Sequence, residues 1–213
     1  HPHQAEVDKR TSESGNGDLA NILYTSGTTG DSKGVMLHHS CYEAAIPAHD
    51  ERFPQLGDQD VIMNFLPFTH VFERAWTCWC LSMGCTLSIN LRPADIQKTI
   101  KEIRPTAMCS VPRFWEKVYA GVKDKIDRAN PVRRKLFMKA LAVGRKHNIE
   151  YLSRGKRPPL SLKMKYALMN RTLFSIVRNE LGLEHPNIFP TAGATVSEEV
   201  ECFVHSIGID MIV

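Results

Sequence analysis

The residues best equipped for chemistry stand close together near the start of the chain, in Tyr24-Thr25-Ser26-Gly27-Thr28-Thr29-Gly30-Asp31-Ser32-Lys33-Gly34-Val35. Thr25, Ser26, Thr28, Thr29 and Ser32 bring hydroxyl donors, and Lys33 brings a point charge suited to terminal phosphates. Gly27, Gly30 and Gly34 let the backbone approach a ligand and take up positive φ, so that successive N–H groups can converge on an anion. A hydroxyl-rich hairpin turn has a similar composition, but this density of donors favours a phosphate cradle. It is not the loop in which glycine directly precedes the lysine and Ser/Thr and a helix follow it. Here Ser32 precedes Lys33, and Gly34 and a strand-like run come after.

Three further stretches carry candidate residues. Leu66-Pro67-Phe68-Thr69-His70-Val71-Phe72-Glu73 puts His70 just past a strand end, where open α/β sheets bind ligands; a helix-capping or core histidine is the plainer alternative. Val111-Pro112-Arg113-Phe114-Trp115-Glu116-Lys117 reads as a strand passing into a helix with proline at its start. On that reading alone Phe114 and Trp115 are core and Arg113 is a surface charge. Phe189-Pro190-Thr191-Ala192-Gly193-Ala194-Thr195-Val196-Ser197 reads as a strand, a tight turn and a helix cap.

The first of these stretches resembles, nearly residue for residue, the phosphate-binding signature of the adenylate-forming (AMP-binding) superfamily, which includes acyl-CoA synthetases, luciferases and peptide-synthetase adenylation domains. Ser32 stands where that family usually has proline. The run around His70 is similar to the family's second conserved segment, whose histidine or aromatic sits beside the acyl substrate and the reacting phosphate. The Val111–Arg113 segment is similar to that of long-chain fatty acyl-CoA synthetases, where it lies along the acyl channel. The turn at Ala192–Ala194 resembles the segment whose backbone packs on adenine, with Ala192 where glycine is usual.

The resemblance implies ATP, Mg2+ and coenzyme A as cofactor and substrates, and activation of a long-chain fatty acid through an acyl-adenylate. Thr25, Ser26, Gly27, Thr28, Thr29, Gly30 and Lys33 would bind the ATP phosphates, with Ser26 on the metal and Gly193 and Ala194 at the adenine. Lys33 and His70 would be catalytic, and His70, Arg113 and Trp115 would line the substrate channel. Another carboxylic acid as substrate stays open. The family's Tyr-Gly-x-Thr-Glu segment, its ribose-binding aspartate and its C-terminal domain have no counterpart in these residues. The chain also ends within an apolar run, which reads as a fragment of the large N-terminal domain, expected to be inactive alone and prone to self-association.

The elements that must position these residues alternate between strand and helix. Ala20–Tyr24 and Val35–Leu37 flank the loop as short strands. Ser40 and Glu43 form a capping-box pattern before a helix. Strands are expected at Asp60–Leu66, Cys85–Asn90, Thr106–Val111, Asn187–Phe189 and Asp210–Val213. Helices are expected at His70–Leu81, Pro93–Ile103, Pro112–Arg128, about 132–147, 161–181 and Ser197–Ile207. On the helix over 161–181, Leu162, Tyr166, Met169, Leu173, Ile176 and Val177 make an apolar stripe. Such alternation predicts an α/β fold with a doubly wound, mainly parallel sheet and flanking helices. Residues 1–17 read as a flexible lead-in, 18–213 as a partial AMP-binding domain with a basic helical segment at 131–181.

The 213 residues suffice for a sizeable core, and no apolar run is long enough to cross a membrane. No signal peptide is visible, and the six cysteines lack metal-site spacing, which points to reduced thiols in a cytoplasmic protein. The net charge of +4 is unevenly spread. Between Pro131 and Arg178 stand thirteen lysines and arginines against one acid, Glu150, a local +12; the rest, with fourteen basic and twenty-two acidic residues, carries −8. Two readings fit this block: a solvated helix face, or a surface for an anionic partner. The second makes the rival function a non-enzymatic module for anionic membrane, peripheral at the inner membrane surface through 131–178. The lack of RNA-binding aromatic, zinc or helix-turn-helix signatures argues against nucleic acid as the partner.

Overall fold

A computed structural model describes residues 2–25 and 30–213; they fall into two compact units. The first comprises His1–Gly57 and Pro67–Gly84, the second Asp58–Leu66 and Cys85–Val213.

In the first unit, helix α1 (Gln4–Glu13) occupies the polar lead-in, where the apolar pattern predicts no element. It buries no residue and is supported by i,i+4 pairs, Arg10 to Glu6 at 2.8 Å and Gln4 to Asp8 at 2.9 Å. Strands β1 (Leu19–Thr25) and β2 (Lys33–His38) form an antiparallel hairpin. Helix α2 (His39–Arg52) follows β2 without a break. The capping box at Ser40 and Glu43 does not form, because the helix starts before it. The amides of His39 and Ser40 instead donate to the carbonyls of Asp18 and Asn16, at 3.1 and 2.9 Å, and Glu43 accepts from the Asn16 side chain. With these two first-turn donors met by backbone carbonyls, neither is left for a side-chain cap. Helix α3 (Val71–Ser82) packs on α2 through Phe53, Trp76 and Trp79, and the Trp79 indole N–H donates to Asp50 at 2.6 Å.

The second unit holds a parallel sheet. Strand β3 (Val61–Asn64) pairs with β4 (Thr86–Ile89) on one side and, through Ile62 and Ala107, with the extended segment 107–110 on the other. That segment bridges at Ala107–Ile188 and Ser110–Thr191 toward β5 (Phe189–Pro190), which pairs with β6 (Met211–Ile212). The order is therefore β4, β3, 107–110, β5, β6, all parallel, as the alternation of elements predicts. At the strands' amino ends Asp60 accepts from Thr106 at 2.6 Å and from Asn187 at 3.1 Å, tying three of them together.

Helices α4 (Ile96–Ile103), α5 (Pro112–Asp127), α6 (Pro131–Gly144), α7 (Leu160–Met169), α8 (Ser175–Leu181) and α9 (Glu198–Ser206) complete the unit. Its core joins Met108, Trp115, Phe174, Phe189 and Ile207. Ser197 caps α9, accepting from the Val200 amide. Wide, π-type turns at Arg145–Tyr151 and Asn170–Phe174 interrupt the two helices of the basic block. There His147 stacks on Tyr166 with ring centroids 4.1 Å apart, and Arg178, one of the thirteen basic residues, is buried. Its guanidinium donates to Asn170 at 2.8 Å and to the Ile207 carbonyl at 2.6 Å, and burial lowers its pKa.

Candidate functional site

In the first unit the hairpin brings the two ends of the phosphate-loop sequence together. Thr25, the last residue of β1, is in register with Lys33, the first of β2, and the Thr25 hydroxyl lies 3.4 Å from the Lys33 carbonyl. Both side chains are exposed, and Gly30 takes φ +154, a conformation that side-chain-bearing residues avoid. Ser26, Gly27, Thr28 and Thr29 lie outside the described residues, so the metal-binding role read for Ser26 rests on sequence. His70 stands at the N-cap position of α3. Its imidazole is exposed and makes no capping bond, so it is neither of the plainer alternatives, a capping or a core histidine.

In the second unit the remaining candidates gather at the carboxyl ends of the parallel strands, the end where such sheets bind ligands. Gly193 and Ala194 form the exposed turn after β5, with Gly193 at φ +99. Arg113 is an exposed residue in the first turn of α5. Trp115, two residues on, is fully buried. Its indole N–H donates to the hydroxyls of Ser110 at 2.8 Å and Thr191 at 3.0 Å, and its ring meets Phe189 edge-on. A side chain so enclosed presents no surface to a channel; it holds the ends of two strands directly beneath the Ala192–Ala194 turn. Ser110 and Thr191, 2.7 Å apart, are missed by sequence reasoning, although a polar residue closing each of two apolar strands is a visible signal.

Phe114 packs against the core, as the plain reading expects, and also borders an open groove of about 630 Å³ between α4, α5, α6 and α8. Ile100, Val118, Val122, Phe137 and Val177 line it with Phe114, and Gly121 leaves open space above its Cα. Lysines and arginines edge the groove. Lys125 pairs with Glu180, and Arg134 with Asp127 at 3.3 Å. Lys101, Lys117 and Arg133 have no carboxylate within ion-pair distance among the described residues. Among the described residues no three His, Cys, Asp or Glu side chains gather to hold a metal ion, and no helix is long and apolar enough to cross a membrane.

Known proteins bear on these arrangements. The chain is 32% identical over 195 residues to the long-chain-fatty-acid–CoA ligase ACSBG2 of Rattus norvegicus, covering 88% of this chain and 29% of that protein. It is 30% identical over 196 residues to the long chain acyl-CoA synthetase 1 of Arabidopsis thaliana, covering 88% and 28%. The chain thus spans under a third of the length of these relatives. Among solved structures, the adenylation–carrier didomain of carboxylic acid reductase from Segniliparus rugosus, in complex with AMP, superposes with a TM-score of 0.61 at 20% identity, covering 93% of this chain and 24% of that one. The N-terminal domain of FACL13 from Mycobacterium tuberculosis gives 0.56 at 20% identity, covering 93% and 37%. These two likenesses show the fold, that of the adenylation domains. The sequence profile of the AMP-binding enzymes matches residues 2–213, and the chain belongs to that family.

Proposed function

We propose that the protein to which these residues belong joins a long-chain fatty acid to coenzyme A. The fatty acid carboxylate attacks the α-phosphorus of ATP and pyrophosphate leaves; the thiol of coenzyme A then attacks the acyl carbon of the adenylate and AMP leaves. The observation that carries this reading is the closed neck of the hairpin, with Thr25 opposite Lys33. A loop whose ends meet can fold its amides and hydroxyls, Thr25 to Gly30, around one anion, with the Lys33 ammonium at the rim. Those groups would take up the charge on the departing β- and γ-phosphates, which is chiefly a matter of positioning and electrostatics. Magnesium accompanying ATP would be held mainly by the phosphates, with Ser26 as its hydroxyl partner. His70 would sit by the reacting carboxylate and phosphate, the Gly193–Ala194 backbone against adenine, and Arg113 near the channel. Trp115 would act through the turn it supports.

The choice of a long-chain acid is supported by the ligase names of the curated relatives and by the apolar groove under α5, which would take the tail. Lys33→Ala tests the phosphate role. ATP–pyrophosphate exchange with palmitate is expected to fall by about 10²–10³, while fatty-acid binding is unchanged. Equal exchange in variant and parent would overturn the assignment.

A further inference from the structure

Helix α7 is apolar on two opposite sides. At about 100° per residue, Leu162, Tyr166 and Met169 fall on one side, and the structure packs that side against its neighbours. Leu160, Met164 and Leu168, spaced i, i+4 and i+8, fall on the other, where they are 73, 66 and 57% exposed. One large apolar side chain in water is ordinary, but a ridge of three opposite a buried face marks a surface that meets something. Lys163 and Lys165 project about 100° to either side of the ridge, Lys156 and Arg157 precede it, and Arg171 follows it, all exposed.

The charge around the ridge selects the partner. Of the thirteen basic residues in 131–178, all but Arg178 are exposed, and of those only Arg134 pairs with a carboxylate among the described residues. A second copy of this face would set Lys156, Arg157, Lys163, Lys165 and Arg171 against the same five cations, which opposes an interface between copies. An anionic bilayer offers apolar depth for the ridge and phosphate or carboxylate at the height of the lysine heads.

We propose that α7 is a docking element for an anionic lipid surface, with Leu160, Met164 and Leu168 entering the acyl boundary and Lys163 and Lys165 at headgroup level. This stands apart from the choice of acid activated and is compatible with it. The test is co-sedimentation of the full protein with vesicles of phosphatidylcholine alone or mixed with phosphatidylserine, at low and high salt. Binding is expected only to the mixed vesicles, fading as salt rises. The triple variant Leu160→Ser/Met164→Ser/Leu168→Ser, at exposed positions, is expected to keep the parent's melting curve and to lose binding at least about ten-fold. Absence of binding to mixed vesicles at low salt would overturn the proposal, as would equal binding by the triple variant. A self-association of the parent that the triple variant loses would also overturn it, by giving the ridge to a second copy.

Discussion

Replacing Trp115 with phenylalanine measures the clamp beneath the Ala192–Ala194 turn. The substitution removes one donor that serves two buried hydroxyls, Ser110 at 2.8 Å and Thr191 at 3.0 Å. Those hydroxyls keep each other at 2.7 Å, so neither is orphaned, and the loss falls near the ordinary value of about 1 kcal/mol. Full truncation of a buried tryptophan costs roughly 3–5 kcal/mol; a phenyl ring keeps much of the packing, so the smaller ring adds about 1 kcal/mol. The total, about 2 kcal/mol, corresponds to a urea midpoint lower by about 1 M, read by far-ultraviolet circular dichroism. Thr191→Val cuts the same link from the other side, so the two changes together should cost less than their sum by about 0.5–1 kcal/mol. If the turn holds adenine, the KM for ATP rises in Trp115→Phe while that for fatty acid does not. Strict additivity of the two substitutions, or a midpoint equal to the parent's, would refute the clamp.

Other substitutions test separate features. Gly182 has φ +78, and an added Cβ would lie 2.7 Å from the Ile100 carbonyl oxygen, so Gly182→Ala should destabilise by about 3 kcal/mol in the same unfolding assay. Gly121→Leu fills open space in the groove and should shift preference from long to short acyl chains by at least about ten-fold in kcat/KM; unchanged preference would put the tail elsewhere. Tyr119 donates to Glu199, and burial first, then that carboxylate, raises its pKa above the usual 10.0. The phenol's contribution to stability is therefore complete below about pH 10 and is lost as pH climbs through the raised folded value. Tyr119→Phe should accordingly flatten the alkaline limb of a stability–pH curve; an unaltered limb would assign the loss to other groups.

What could be read from the residues, and what could not, divides by the range of the forces involved. The helices α3, α5 and α9 follow from local signals: apolar spacing, Pro112 in a first turn, and Ser197 as a cap. The parallel sheet follows from the alternation of strand and helix. The capping box at Ser40 failed because the competing acceptors, the Asn16 and Asp18 carbonyls, come from residues before the hairpin. The helix in the polar lead-in escaped because it has no buried face and is supported only by pairs such as Arg10–Glu6.

The candidate site shows the same division at finer scale. Lys33, Gly30 and His70 are visible as types because their demands are local, a backbone at positive φ for Gly30 or a side chain at an element's start for Lys33 and His70. The closed neck at Thr25 and Lys33 required only that the two flanking runs pair. Trp115 was visible as a type but not in its task, since its second partner, Thr191, lies 76 residues away and reaches it only through the order of the sheet. The family resemblance implied a channel wall and residue type a core position; Trp115 is buried as residue type expects, and register makes it a clamp. The basic block splits in a similar way, for the pattern shows thirteen cations and one apolar stripe. Only packing shows that Arg178 faces inward to Asn170 and the Ile207 carbonyl while Lys163 and Lys165 face water. Leu160, Met164 and Leu168 satisfy helical spacing as well as Leu162, Tyr166 and Met169 do. A sequence with two apolar stripes does not say which one the core takes, and so it does not say which is left for a partner.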